Sequence, residues 1–142
     1  MAAYDPANIF AKILRGEIPS ERVYEDDRTI AIMDIMPRAD GHLLVLPKNP
    51  SRNILDISDD DLAATIAAVR RLSRAVMAAF AADGVTVQQF SEPAGGQVVF
   101  HTHFHVLPRH HGIELKPHTG KLADPKLLAA HAEKIRTALG KG

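Results

Sequence analysis

Between Phe100 and Val106 the chain alternates without a break: Phe100, Thr102, Phe104 and Val106 are interleaved with His101, His103 and His105. A period of two, rich in β-branched and aromatic residues, predicts a strand with one apolar face. The other face then carries three imidazoles in a row, spaced roughly 7 Å apart at about 3.4 Å per residue. Each ring reaches well beyond its backbone, so neighbouring rings can share one phosphate-sized ligand. Gly95-Gly96 leads into this run and Pro108-Arg109 closes it. Glycines let a backbone approach an anion and turn its N–H groups inward. A strand of this kind is built for a site.

Three readings of the histidine face stand open on the residues alone. The face can be an exposed strand whose histidines merely fill polar positions. It can be a metal site, imidazole being the commonest ligating side chain, with His42 or an aspartate completing the set. It can also supply a histidine nucleophile for phosphoryl or nucleotidyl transfer.

The 142 residues suit one domain with one core. Seventeen Lys and Arg balance seventeen Asp and Glu, so net charge directs the chain neither to nucleic acid nor to an anionic membrane. The absence of cysteine excludes disulfides and thiolate ligands. Met1 to Arg15 lacks the basic-then-apolar order of a signal peptide, and no apolar run approaches the roughly 20 residues of a membrane span. A soluble, cytoplasmic protein is expected.

Taken in order, residues 1 to 4 read as a loose tail. Asp5 is placed to cap a short helix with Pro6 in its first turn and Ile9, Phe10, Ile13 and Leu14 as its apolar stripe. Val23 to Glu25 and Thr29 to Met33 read as strands about an acidic turn, and Leu43 to Leu46 as a buried strand between Gly41-His42 and Pro47. Ser58 caps the longest helix, with Leu62, Ile66, Val69, Leu72, Val76 and Phe80 as its stripe and Gly84 as its stop. Val85 to Phe90 is the next strand, a neighbour of the histidine strand. Asp124 caps a final helix from about Pro125 to Leu139. His110, His111, His118 and His131 receive no role, His131 being read as surface.

The stretch Gly96-Gln97-Val98-Val99-Phe100-His101-Thr102-His103-Phe104-His105-Val106-Leu107 resembles the histidine triad (HIT) signature, His-φ-His-φ-His-φ-φ with φ apolar, preceded by Gly-Gln. Thr102 departs mildly from it at the first φ. The resemblance extends over about residues 8 to 110, through Asn8 to Ser20 and Asp34-Ile35-Met36-Pro37. It implies an α+β fold: an antiparallel sheet carrying the histidine strand, one long helix packed on it, short terminal helices, and a single HIT domain over 1–142 that forms a homodimer. It further implies a nucleotidyl hydrolase or transferase that attacks the α-phosphate of purine nucleotide conjugates, with no cofactor and no metal.

In that scheme His103 is the nucleophile and His101 and His105 assist it. One His103 nitrogen attacks while a backbone carbonyl near His101 holds the other. His42 matches the family's fourth, supporting histidine. Asp34 accepts the ribose hydroxyls, an alternative being a plain turn-forming aspartate. Ile9, Phe10 and Ile35 enclose the base or serve as core. Gln97 and the N–H groups of Val98 and Val99 hold the phosphate oxygens. Ser91 or Glu92 stands where an asparagine is usual. Some bacterial relatives bind structural zinc through two cysteines of the first helix; Asn8 and Ala11 match those positions, so no such zinc is expected. The alternatives are a diadenosine polyphosphate hydrolase, a nucleotide-binding sensor of little turnover and, last, a histidine-liganded metal hydrolase.

Overall fold

The computed structural model describes residues 1–117 and 120–141, so His118 lies outside the described residues. The elements run α1 (Ile9–Leu14), β1 (Arg22–Glu25), β2 (Thr29–Met33), β3 (Leu43–Pro47), α2 (Asp59–Ala79), β4 (Gly84–Gln88), β5 (Phe104–Arg109) and α3 (Pro125–Lys141), with a 3-10 turn at Pro93–Gly95. Five strands form one antiparallel sheet in the order β1-β2-β3-β5-β4. The fold is α+β, as the sequence implies.

Every residue of β2 and β3 is buried, because both faces of the sheet are covered. Alternate residues of a strand point to opposite faces. Ala31, Met33, Leu43, Val45, Phe104 and Val106 therefore pack with Val69, Leu72 and Val76 of α2 and Leu128, Ala132 and Ile135 of α3. Ile30, Ile32, Leu44 and Leu46 pack on the other side with Phe10 and Ile13 of α1. His105 lies between Phe104 and Val106, so its ring emerges on the α1 side. The long helix thus backs the sheet while the short one flanks the histidines.

The helices meet the sequence reading with local differences. Ser58 does cap α2, its Oγ accepting the Asp61 N–H at 3.1 Å. Ile66, however, is 45% exposed, and Thr65 takes the buried position instead. α2 ends at Ala79 with Ala81 at φ 47°, while Gly84 opens β4 rather than stopping the helix. β4 is shorter than expected, ending at Gln88, which releases the Phe90 ring to sit edge-on to His105. The cap of α1 is Asn8, whose Oδ1 accepts from Ala11 N at 2.9 Å; Asp5 builds the preceding turn by accepting from Ala7 N. Asp124 accepts from Lys126 N at the start of α3. His131 is partly buried, edge-on to Phe80 at 5.2 Å.

One glycine fixes where the site can form. Gly41 has φ 84°, and a Cβ on it would fall 2.4 Å from Cε2 of Phe80. It is the residue that swings the chain into His42. The left-handed backbone alone costs a side chain about 1–2 kcal/mol. Gly41→Ala is expected to lose at least that much stability in urea unfolding, with Phe80 displaced from His131. An unchanged unfolding midpoint would show that the turn relaxes at no cost.

Candidate active site

The histidine strand begins later than the alternation predicts. β5 starts at Phe104, and residues 101–103 precede it without ladder partners. Thr102 N instead donates to Ser51 O at 2.9 Å, and Thr102 Oγ1 lies 2.6 Å from Ser51 Oγ. This detour buries His101 and His103, which are 0% and 9% exposed. Their hydrogen bonds fix the tautomers. His101 Nε2 lies 2.8 Å from the Pro47 carbonyl, which can only accept, so that nitrogen carries the proton. His103 Nδ1 likewise donates to the His101 carbonyl at 2.6 Å, leaving the lone pair on Nε2. Burial pushes the His101 pKa down, and that of His103 down to about 4, because a desolvated imidazolium is disfavoured. His103 is a neutral imidazole with its lone pair on a defined nitrogen.

A second pair stands beside it. Arg38 N donates to His42 Nδ1 at 3.1 Å, so a neutral His42 ring holds its proton on Nε2. That nitrogen lies 2.9 Å from His105 Nδ1 and 3.5 Å from Asp34 Oδ2. His105 therefore accepts at Nδ1 and carries its own proton on Nε2. Its ring centroid is 5.1 Å from that of His103 and 5.1 Å from that of His42. Asp34 Oδ1 accepts from Met36 N at 2.8 Å, forming the turn, and burial raises the carboxyl's pKa.

Among the described residues, Asp34, His42 and His105 bring one potential ligand atom each within 4.8 Å of one another. The hydrogen bonding opposes an ion there. A ligating histidine donates its second N–H outward, but His42 Nδ1 accepts, so Nε2 could bind a cation only as an imidazolate. Zinc at the first helix does not fit either. Asn8 is spent as the α1 cap, and Ala11 offers no donor atom.

The loop before the histidines is held by a buried polar network. Gln97 Nε2 donates to Arg52 O at 2.7 Å and Val99 O at 3.1 Å, and its Oε1 accepts from Glu92 N and Asn53 Nδ2. Both amide hydrogens are therefore spent inside the protein. Sequence reasoning expects Gln97 to hold a phosphate oxygen; in the structure its amide hydrogens bind the loop itself. Glu92 turns the same way, toward Arg52 Nε and Asn53 Nδ2, each at 2.6 Å. Ser91 Oγ donates to Gln89 Oε1 at 3.0 Å. Val98 is 83% exposed at the loop's tip, while Val99 is partly buried against the apolar cluster that includes Phe10 and Leu44.

Of the base-pocket candidates, Phe10 is buried and stands edge-on to His103 at 4.8 Å. Ile9 and Ile35 are 41% and 51% exposed, so neither is core. Sequence reasoning passed over Tyr4, Arg38, Arg52 and Asn53. Tyr4 alone left a signal, as an aromatic in an otherwise small and polar tail; its hydroxyl lies 2.6 Å from His101 Nδ1. Arg52 and Asn53 invert the usual pattern, being buried while the following Ile54 and Leu55 are exposed.

The HIT domain family model matches residues 15–112. The chain belongs to the HIT family. It is 40% identical to a HIT-like protein of Mesomycoplasma hyorhinis over 70% of this chain and 90% of that one. The adenylylsulfatase HINT3 of Arabidopsis thaliana is 37% identical over 71% of this chain and 51% of its own length. A crystal structure of a HIT-like protein from Bartonella henselae superposes with a TM-score of 0.93 at 54% identity, covering 96% of this chain and 99% of that one. Membership supports nucleotide hydrolase or transferase chemistry at the level of the family.

The environment of His103 in this HIT protein sets its titration. Its folded pKa is depressed below the ordinary value of about 6.5. Between about pH 6.5 and 4 the unfolded chain takes up a proton that the native ring refuses, so stability falls as pH falls through that window. Imidazole NMR of the unliganded protein should show His103 as the Nδ1–H tautomer at pH 6, with its midpoint closer to 4 than to 6.5. Titration near 6.5 would mean that water reaches the ring.

Proposed function

We propose that this HIT protein is a hydrolase or transferase acting at the α-phosphate of purine nucleotide conjugates, nucleoside phosphoramidates among them, through a nucleotidyl–His103 intermediate. The observation that carries this reading is the His103 ring, buried, neutral, and held by the His101 carbonyl with its Nε2 lone pair available for attack. The name of the Arabidopsis relative, adenylylsulfatase, is that of an enzyme for another nucleotide conjugate and supports the substrate class.

In the first step Nε2 of His103 bonds to phosphorus, and the bond to the leaving group breaks with its electron pair leaving on that group. The Nδ1–H bond to the His101 carbonyl strengthens as the ring gains positive charge, so it stabilises the transition state more than the ground state. His105, whose Nδ1 accepts from His42, presents Nε2–H to the phosphoryl group and the departing atom. The N–H groups of Val98 and Val99 hold the non-bridging oxygens. Water then attacks phosphorus, the electron pair of the P–N bond returns to Nε2, and the water's proton passes to solvent. Asp34 receives the ribose hydroxyls, and Phe10, Ile9 and Ile35 flank the base. The reading includes a cytoplasmic homodimer. Edge strand β4 with Val87 46% exposed, and α2 with Ile66 45% exposed, offer the surfaces for it.

His103→Ala is expected to lose turnover of an adenosine phosphoramidate by at least about 10³-fold while AMP still binds. Rapid quench of the wild type should trap protein heavier by one nucleotidyl group at His103, and a chiral phosphorothioate should be hydrolysed with retention. Inversion would replace the covalent step with direct attack by water.

Asp34→Ala should weaken AMP by about tenfold or more and leave 2′,3′-dideoxy-AMP nearly unaffected, since two hydroxyl contacts vanish together. Equal losses in calorimetric titrations of the two ligands would return Asp34 to turn formation alone.

A further inference from the structure

Tyr4 lies five residues before α1 and ninety-seven before His101, yet its hydroxyl is 2.6 Å from His101 Nδ1. Because Nε2 of that ring donates to the Pro47 carbonyl, Nδ1 is the acceptor and the tyrosine O–H is the donor. The two rings also meet edge to face, with centroids 5.7 Å apart. His101 is 0% exposed, so water has no ready route to replace the hydroxyl. Burial pushes the Tyr4 pKa up, which keeps it a donor.

The bond matters because of what the rest of His101 does. Its ring is gripped at both nitrogens, by Tyr4 and by Pro47, and its carbonyl is the acceptor for His103 Nδ1. Residues 101–103 have no ladder bonds, so their placement rests on side-chain contacts and on the Thr102–Ser51 tie. The segment from Tyr4 to Phe10 touches both buried rings at once, Tyr4 on His101 and Phe10 on His103.

We propose that Tyr4 is a positioning residue for the nucleophile: by fixing the His101 ring it fixes the carbonyl that orients His103. The proposal rests on the reading of His103 as the nucleophile. It assigns to the segment before α1 a part in the chemical step and none in nucleotide affinity.

The test compares wild type, Tyr4→Phe and His103→Ala. Each is measured for nucleotidyl–enzyme formation from adenosine 5′-phosphoramidate in rapid quench, for AMP affinity by calorimetry, and for imidazole nitrogen shifts by NMR. Tyr4→Phe keeps the ring and removes one oxygen. It should slow formation of the intermediate about tenfold, leave the AMP Kd within about twofold, and move the nitrogen shifts of both His101 and His103. A Tyr4→Phe enzyme that forms the intermediate at the wild-type rate overturns the proposal, as does one whose loss lies wholly in AMP affinity. Turnover retained by His103→Ala overturns the nucleophile reading and the proposal with it, and so is told apart from a failure of Tyr4 alone.

Discussion

The hydrogen bond from His103 Nδ1 to the His101 carbonyl is the contact on which the site turns, and it exists only because the chain leaves the sheet. In a regular ladder a strand carbonyl is taken by a neighbouring strand's N–H. β3 pairs Val45 with Phe104, a register that, continued, would bring Leu46 opposite His103 and then Pro47 opposite Thr102. Proline offers no N–H, and the pairing stops short of it. Thr102 N turns to Ser51, the Pro47 carbonyl takes the His101 ring, and the His101 carbonyl is left for His103. A break in pairing thereby becomes the device that holds the His103 ring with its lone pair on Nε2.

The two histidine pairs are opposite in sense. In one, a backbone carbonyl accepts from Nδ1 and leaves a lone pair on the far nitrogen of His103. In the other, a backbone N–H from Arg38 donates to His42, which passes its proton side to His105 Nδ1 and leaves N–H on the far nitrogen of His105. Two chemically identical side chains, with rings 5.1 Å apart, come to present a lone pair on one and an N–H on the other through which backbone group lies behind each. The same assignment disfavours a cation at Asp34, His42 and His105, since the nitrogen it would need already carries a proton.

Much of this was legible in the sequence because the relevant signals are local. The alternation at Phe104, His105 and Val106, the run Leu43 to Leu46 and the cap at Ser58 each depend on a few neighbouring residues. The resemblance placed His42 beside the triad and gave Asp34 the ribose hydroxyls; the structure brings the two residues within 3.5 Å of one another. What escaped was long-range. Alternation through His101 and His103 looked like strand, because no periodicity reports that a proline on another strand ends the ladder. Tyr4 looked like tail because its partner is ninety-seven positions away. Gln97 looked like a phosphate ligand because the acceptors that consume its amide lie on residues 52 and 99.

The loop ahead of the triad shows why those buried polar residues are where they are. Glu92 has φ 66° and ψ 161°, a region close to glycine-only for the backbone. Such a conformation persists only where its surroundings over-determine it. Here Arg52 and Asn53 grip the Glu92 carboxylate and Gln97 grips its N–H. Arg52 also lies over the Phe100 ring at 4.1 Å, joining the start of the loop to its end. Gly96, at φ 97° against the Phe90 ring, completes the bend. A loop closed in this way has its shape set before any ligand arrives, so oxyanion donors at Val98 and Val99 would need little reorganisation during reaction. Residues 52, 53, 92 and 97 thus set the shape of the loop through bonds to one another.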